Sequence, residues 1–184
     1  MLIPLLWLKE FIDIEQPDII GFQCYTFDIF KVKDYAEFIK QNFSNIKIIL
    51  GGPHPTTLPE ETLDFFENLI DYIFLSEAEN SLIDFCNGKD ITEIKGIGYI
   101  DRITKKKVYS YPNLEDDIDK FGMPAWDIIK PETYPPAQHG AVFEKFPIAP
   151  IMLTRGCPFH CTFCAGNIIM GRKIRKRSIA NILN

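Results

Sequence analysis

No stretch of this sequence reaches the roughly 20 consecutive apolar residues that a membrane-spanning helix needs. The apolar N-terminus, "MLIPLLWLKEFIDIE", lacks both a basic leader and a small-residue cleavage site, and it turns acidic within one helical length. It therefore does not read as a secretory signal. These absences lead to the expectation of a cytoplasmic protein with no membrane span. Cysteine occurs five times, and an odd number argues against a disulfide framework. Acidic residues are missing altogether after Glu144. The chain carries −5 overall and seven basic residues from Lys145 onward, which leaves −12 for the first 144 residues. A reversal of that size suggests that a domain boundary is crossed before the end.

What is present is enough for a packed core. Of the 184 residues, 46% are hydrophobic and 13% aromatic, which excludes a disordered chain. An opening helix places Leu5, Leu8, Phe11 and Ile12 on one face, and Pro17 stops it. "PDIIGFQC" reads as a buried strand of a parallel sheet, covered on both faces. Asp28 is placed to cap the next helix, in which Val32, Tyr35, Ala36, Ile39 and Phe43 recur at offsets of three and four. "IKIIL" (46–50) is a second strand, ending in Gly51-Gly52-Pro53. A short helix follows around "PEETLDFF", then a third strand at 71–75, then a helix over "EAENSLIDFC". Strand and helix alternating at this spacing predict right-handed βαβ units and a doubly wound α/β sheet.

The pattern then changes. "IGYIDRITKKKVYSY" reads as a β-hairpin with Lys105, Lys106 and Lys107 at its tip. Residues 112–149 form a proline-rich connector, with a short helix near Trp126 and with Phe121, Trp126 and Phe143 needing somewhere to pack. A new strand begins at "PIMLT" (150–154), and Ser178 is placed to cap a helix over "IANIL". The domains expected are thus 1–111, 112–149 and 150–184. A strand, a loop and a piece of helix cannot fold alone, so the last of these is expected to be cut short.

Three of the five cysteines lie in "RGCPFHCTFC" as C-x3-C-x2-C, at Cys157, Cys161 and Cys164. A tight loop with those gaps can turn three sulfurs toward one point. Three thiolates can hold a [4Fe–4S] cluster by three irons and leave the fourth open to a small ligand. Phe159 and Phe163 would then shield it from water. The alternative is structural zinc with His160 as fourth ligand, although adjacent His160 and Cys161 meet one tetrahedral ion awkwardly. Cys24 and Cys86 sit among apolar neighbours and are expected to be small buried hydrophobes. The basic stretch "GRKIRKR" (171–177) reads as a solvated or substrate-facing surface rather than a nucleic-acid site, since it lacks interleaved aromatics. The acid pairs Glu60-Glu61 and Asp116-Asp117 read as solvated.

"RGCPFHCTFC" resembles the signature of the radical S-adenosylmethionine superfamily. There, the cysteine loop follows the first strand of a partial (βα)6 barrel. The resemblance implies that S-adenosylmethionine is chelated at the open iron and cleaved reductively to a 5′-deoxyadenosyl radical. It also implies an external electron donor such as flavodoxin or ferredoxin, with Phe163 beside the adenine. "IILGGPHPTTLPEETL", "DYIFLSEAENSL" and "MPAWDII", in that order, are similar to the cobalamin-binding domain of cobalamin-dependent members. That Rossmann-like or flavodoxin-like domain normally opens with a strand expected before Met1.

The cobalamin contacts implied are Gln23, Cys24, Tyr25 and Thr26 in one loop, Gly51, Gly52 and Pro53 in the next, and Glu77. The family's second glycine turn usually reads Gly-Glu-x-Glu, where this chain has Ser76-Glu77-Ala78-Glu79. No Asp-x-His-x-x-Gly loop supplies a histidine to cobalt: the three histidines are His54, His139 and His160, and His54 is expected to cap a turn. The complete enzyme implied is of methyltransferase or cyclase type, acting on a small-molecule or peptide substrate, and these 184 residues alone are expected not to turn over. The competing class is a non-catalytic module that binds cobalamin or a metal.

Overall fold

The computed structural model describes residues 4–136 and 143–183; His139 lies outside them. A five-stranded mixed sheet runs in the order β1-β2-β3-β4-β5, with β1 (Ile19–Gln23), β2 (Lys47–Gly51) and β3 (Tyr72–Phe74) parallel. The hairpin of β4 (Ile97–Ile100) and β5 (Lys107–Tyr109) extends the same sheet in antiparallel fashion. Helices cover both faces, which makes the unit Rossmann-like. On one face, Ile48 and Leu50 of β2, Ile73 of β3 and Leu75 just after it pack with Val32, Ala36 and Ile39 of α2 (Ile29–Asn42). Leu63 and Phe66 of α4 (Pro59–Phe66) complete this layer. On the other face, Ile49, Phe74, Ile94 and Ile97 pack with Phe85 of α5 (Glu79–Cys86). The period-2 alternation of strand side chains divides the core between the two layers.

Several expectations need correction. In α1 (Leu5–Glu15) only Leu8 and Ile12 are buried, while Leu5 and Phe11 are exposed, because α1 touches the sheet along a narrower stripe than its apolar face offers. Gln16, in the left-handed region, ends that helix before Pro17 is reached. Strand β1 is half-buried rather than covered, since it forms the edge of the sheet. Asp28 stands at the N-terminus of α2, but its carboxylate accepts from the Tyr25 amide at 2.8 Å and bonds no helical N–H. Cys86, in the last residue of α5, is exposed; only Cys24 is buried.

A short helix unforeseen from sequence, α3 (Pro53–Thr57), sits directly after Gly52. Past the hairpin, α6 (Trp126–Ile129) matches the expected short helix, with Phe121, Trp126 and Phe143 each half-buried. The strand expected at 150–154 shrinks to β6 (Thr154–Arg155). It pairs antiparallel with β7 (Arg175–Lys176), so the loop carrying the cysteines and α7 (Gly166–Met170) is closed at its base by two residues from each side. Ser178 then caps α8 (Ile179–Leu183), its hydroxyl accepting from the Asn181 amide at 3.1 Å.

Candidate functional site at the carboxyl end of the sheet

Ligands of open α/β sheets bind where the strands end, and three loops meet there. Those after β1 and β2 are tied to each other. The Cys24 amide donates to the Gly51 carbonyl at 2.8 Å, and the His54 amide donates to the Cys24 carbonyl at 3.1 Å. Thr26 Oγ1 and His54 Nδ1 lie 3.0 Å apart, within hydrogen-bond reach. His54 is buried, and that burial pushes its pKa below the usual imidazole value, with Glu61 and Asp28 only partly offsetting it. His54 is thus a neutral side chain serving loop structure. Burial, helped by Asp28, pushes the Cys24 thiol up to about 12.

The two glycines differ. Gly52 has φ +100°, and a Cβ there would stand 3.0 Å from the Cys24 carbonyl oxygen and 3.1 Å from its nitrogen. Its missing side chain lets the two loops cross. Beside Gly51 a Cβ would meet only the Phe74 oxygen at 3.9 Å, so space remains on that side. Gln23 Nε2 donates to the Tyr25 hydroxyl at 3.0 Å, and the Tyr25 ring stacks on exposed Phe27 with centroids 5.5 Å apart. Of the residues expected to contact cobalamin, Gln23, Tyr25, Thr26, Gly51, Gly52 and Pro53 share this loop cluster. Cys24 lies beneath it with its side chain fully buried.

Glu77 belongs to a different arrangement. Its carboxylate accepts from both terminal nitrogens of Arg175, at 2.6 and 2.8 Å, and lies 3.3 Å from Arg155. Arg155 also donates to Glu79 at 2.5 Å and covers the Phe121 ring at 4.7 Å. Burial works against the Arg155 charge, but Glu79 and Glu77 override it and raise its pKa. Thr56, fully buried, joins the two parts of the site. It donates to the Gly52 carbonyl at 2.8 Å and accepts from the Ser76 amide at 2.9 Å, while Ser76 Oγ donates to the Ile169 carbonyl of α7. Helix α7 packs against α3. Helix α7, which starts two residues after Cys164, is therefore seated on α3, the helix that follows the Gly51-Gly52 turn, a juxtaposition sequence could not reveal.

Within the cysteine loop, Gly156 has φ +98°, and a Cβ there would fall 2.0 Å from the Lys173 carbonyl oxygen. The turn into Cys157 thus requires glycine, a residue whose position just before the first cysteine was its only sequence signal. Cys157 is half-buried, Cys161 and Cys164 are exposed, and Phe159 and Phe163 are exposed rather than folded over the thiols. Three thiols within eight residues suit iron–sulfur chemistry as a donor set. Among the described residues, however, no three ligating side chains are gathered closely enough to hold a metal. Thiols do not attract one another; it is the metal that draws deprotonated sulfurs together. His160, the candidate fourth zinc ligand, has Nε2 within 2.6 Å of the Arg172 guanidinium.

A cleft of about 820 Å³ lies elsewhere, between α5 and the connector, lined by Ile83, Phe121, Met123, Met152, Arg155 and Arg177 among others. None of the residues expected to contact cobalamin lines it. Among the described residues no helix is long and apolar enough to cross a membrane.

Comparison with known proteins bears on the domain that carries these loops. Residues 8–85 match the B12 binding domain model. The chain is 26% identical over 171 residues to an uncharacterized methyltransferase of Pyrococcus horikoshii, covering 91% of this chain and 35% of that protein. It is 23% identical over 162 residues to the cobalamin-dependent radical SAM methyltransferase TokK of Streptomyces tokunonensis, covering 82% and 22%. Its fold matches the apo structure of the cobalamin-dependent S-adenosylmethionine radical enzyme OxsB with a TM-score of 0.70 at 20% identity, over 98% of this chain and 24% of that one. The chain thus spans about a third or less of the length of the relatives it matches.

Proposed function

We propose that this chain, which carries a Rossmann-like B12-binding domain and is related to cobalamin-dependent radical S-adenosylmethionine proteins over most of its length, is the cobalamin and cluster-bearing part of such an enzyme. The observation that carries the reading is the seating of α7, the helix directly after the three cysteines, on α3 and on Ser76, which Thr56 ties to the Gly52 carbonyl. Because α7 begins two residues after Cys164, the three-thiol loop is tethered to the end of the sheet where ligands of this fold bind.

Cys157, Cys161 and Cys164 would hold a [4Fe–4S] cluster, with Phe163 toward the adenine of S-adenosylmethionine. The loops 23–26 and 51–53 would line the cobalamin. When bound, these groups supply reductive cleavage of S-adenosylmethionine to a 5′-deoxyadenosyl radical, with electrons from a flavodoxin or ferredoxin, for methyl transfer or a cyclisation. The chain's own part is binding and placement. Gly156 permits the tight turn into Cys157, the Cys157 amide is fixed on the Gly171 carbonyl at 2.9 Å, and the Gly166 amide donates to Cys164 Sγ at 3.4 Å. An N–H aimed at a ligating sulfur orients it and tunes the metal it would hold. The substrate would be a small molecule or peptide. The 184 residues alone are expected to make no 5′-deoxyadenosine.

Anaerobic reconstitution tests the reading. About four irons and four sulfides per chain, together with retention of added cobalamin through gel filtration, are expected. Stoichiometric zinc without sulfide, retained under the same conditions, would replace the cluster with a structural metal. Cobalamin retention without any cluster would leave a carrier module.

A further inference from the structure

We infer that Glu77 is a positioning residue, whose carboxylate docks the cysteine loop onto the α/β domain by gripping the base of that loop. Its partner Arg175 lies in β7, the strand that closes the loop against β6. The Arg175 side chain is 2% exposed and that of Glu77 7%. The guanidinium also donates to the Glu115 carbonyl at 2.8 Å and to the Met170 carbonyl at 2.7 Å. One side chain thus joins the loop after β3, the connector, the end of α7 and strand β7. Arg155, the residue preceding Gly156, approaches the same carboxylate and reaches Glu79.

Both strands that flank the cysteine loop are therefore referred to two carboxylates, Glu77 in the loop after β3 and Glu79 at the start of α5. The fork geometry fixes orientation as well as distance, which a point charge would not. The β6–β7 ladder is only two residues long and cannot hold the loop's angle by itself. Charge complementarity explains the reversal along the sequence: part of the basic tail is the mate of the acidic domain. The docking follows from these contacts alone; that it orients a cluster toward cobalamin rests on the reading above.

Amide hydrogen exchange on the cofactor-free chain tests the docking. In Glu77→Gln, the Cys157 and Arg177 amides, bonded to Gly171 and Leu153, are expected to exchange about a hundredfold faster, since a buried guanidinium loses its counter-charge. The β2 amides at Ile48 to Leu50 should keep wild-type protection. Acceleration of both regions together would make Glu77 a core element of the sheet, and acceleration of neither would remove it from docking. Should Glu77→Gln fail to fold, Arg175→Gln leaves Glu77 paired with Arg155 and is expected to release the same two amides. Arg175→Lys keeps the charge without the fork and should release them too; full protection in that variant would overturn the positioning role. Because no cofactor is present, loss of docking and failure to bind iron or cobalamin are separate results.

Discussion

At the scale of single residues, the three loops show side chains chosen for contacts with each other before any contact with a ligand. Cys24 is beyond reach as a thiolate at neutral pH. Alkylation of the metal-free chain with iodoacetamide at pH 8 should therefore modify Cys86, Cys157, Cys161 and Cys164 and leave Cys24 unmodified, as read by peptide mass spectrometry. His54 is held neutral, so protonating it opposes folding. Its contribution is fully present above its ordinary value near 6.5 and is lost as pH falls through the lowered folded value. Urea midpoints measured from pH 7.5 to pH 5 should fall more steeply for the native chain than for His54→Gln.

Of the two glycines, Gly52→Ala should cost about 1–3 kcal/mol, combining left-handed strain with the Cys24 backbone contact. Gly51→Ala should be tolerated, within about 0.5 kcal/mol in the same titration. From sequence, both glycines of the doublet entered alike, as implied cobalamin contacts. The structure divides it into one glycine required by the crossing of loops and one that leaves room.

At the scale of elements, Asp71 makes a polar contact that ties α2 to the sheet. It accepts from Lys40 Nζ at 2.8 Å and from the Ile48 amide at 2.9 Å, linking the helix, β2 and the start of β3. Asp71→Ala leaves the Ile48 amide and the Lys40 ammonium short of a partner, and should lower unfolding free energy by about 1–3 kcal/mol in urea titration. The apolar periodicities of α2 and the strands were legible because each repeats over several residues. The exposed face of α1 and the edge position of β1 were not, because an apolar stripe records what a segment can bury and not how much of it a neighbour covers. Helix α3 was hidden by its two prolines, although both lie in its first turn, where a missing N–H is harmless.

At the scale of the whole molecule, buried ion pairs join the acidic α/β domain to the basic tail, and among the described residues neither buried apolar cluster includes a residue of that tail. Breaking the cysteine set should accordingly separate metal binding from folding. Cys157→Ser, Cys161→Ser and Cys164→Ser should each lose most of the iron acquired in anaerobic reconstitution. Their thermal midpoints without metal should remain within about 2 °C of wild type, because half-exposed and exposed thiols contribute little packing. A large fall in midpoint would show that the loop contributes to the core instead.

By itself, the sequence determined the α/β order, the parallel strands, the hairpin and the three-cysteine spacing. These are local facts, written in periodicity and in the small number of residues between ligands. Only the tertiary structure decided that Glu77 faces Arg175 across 98 residues, that Gly52 makes room for Cys24, and that α7 lies against α3. Each is a meeting of segments distant in the chain, fixed by which buried charge or carbonyl finds its partner when the sheet closes, and no spacing along one segment encodes it.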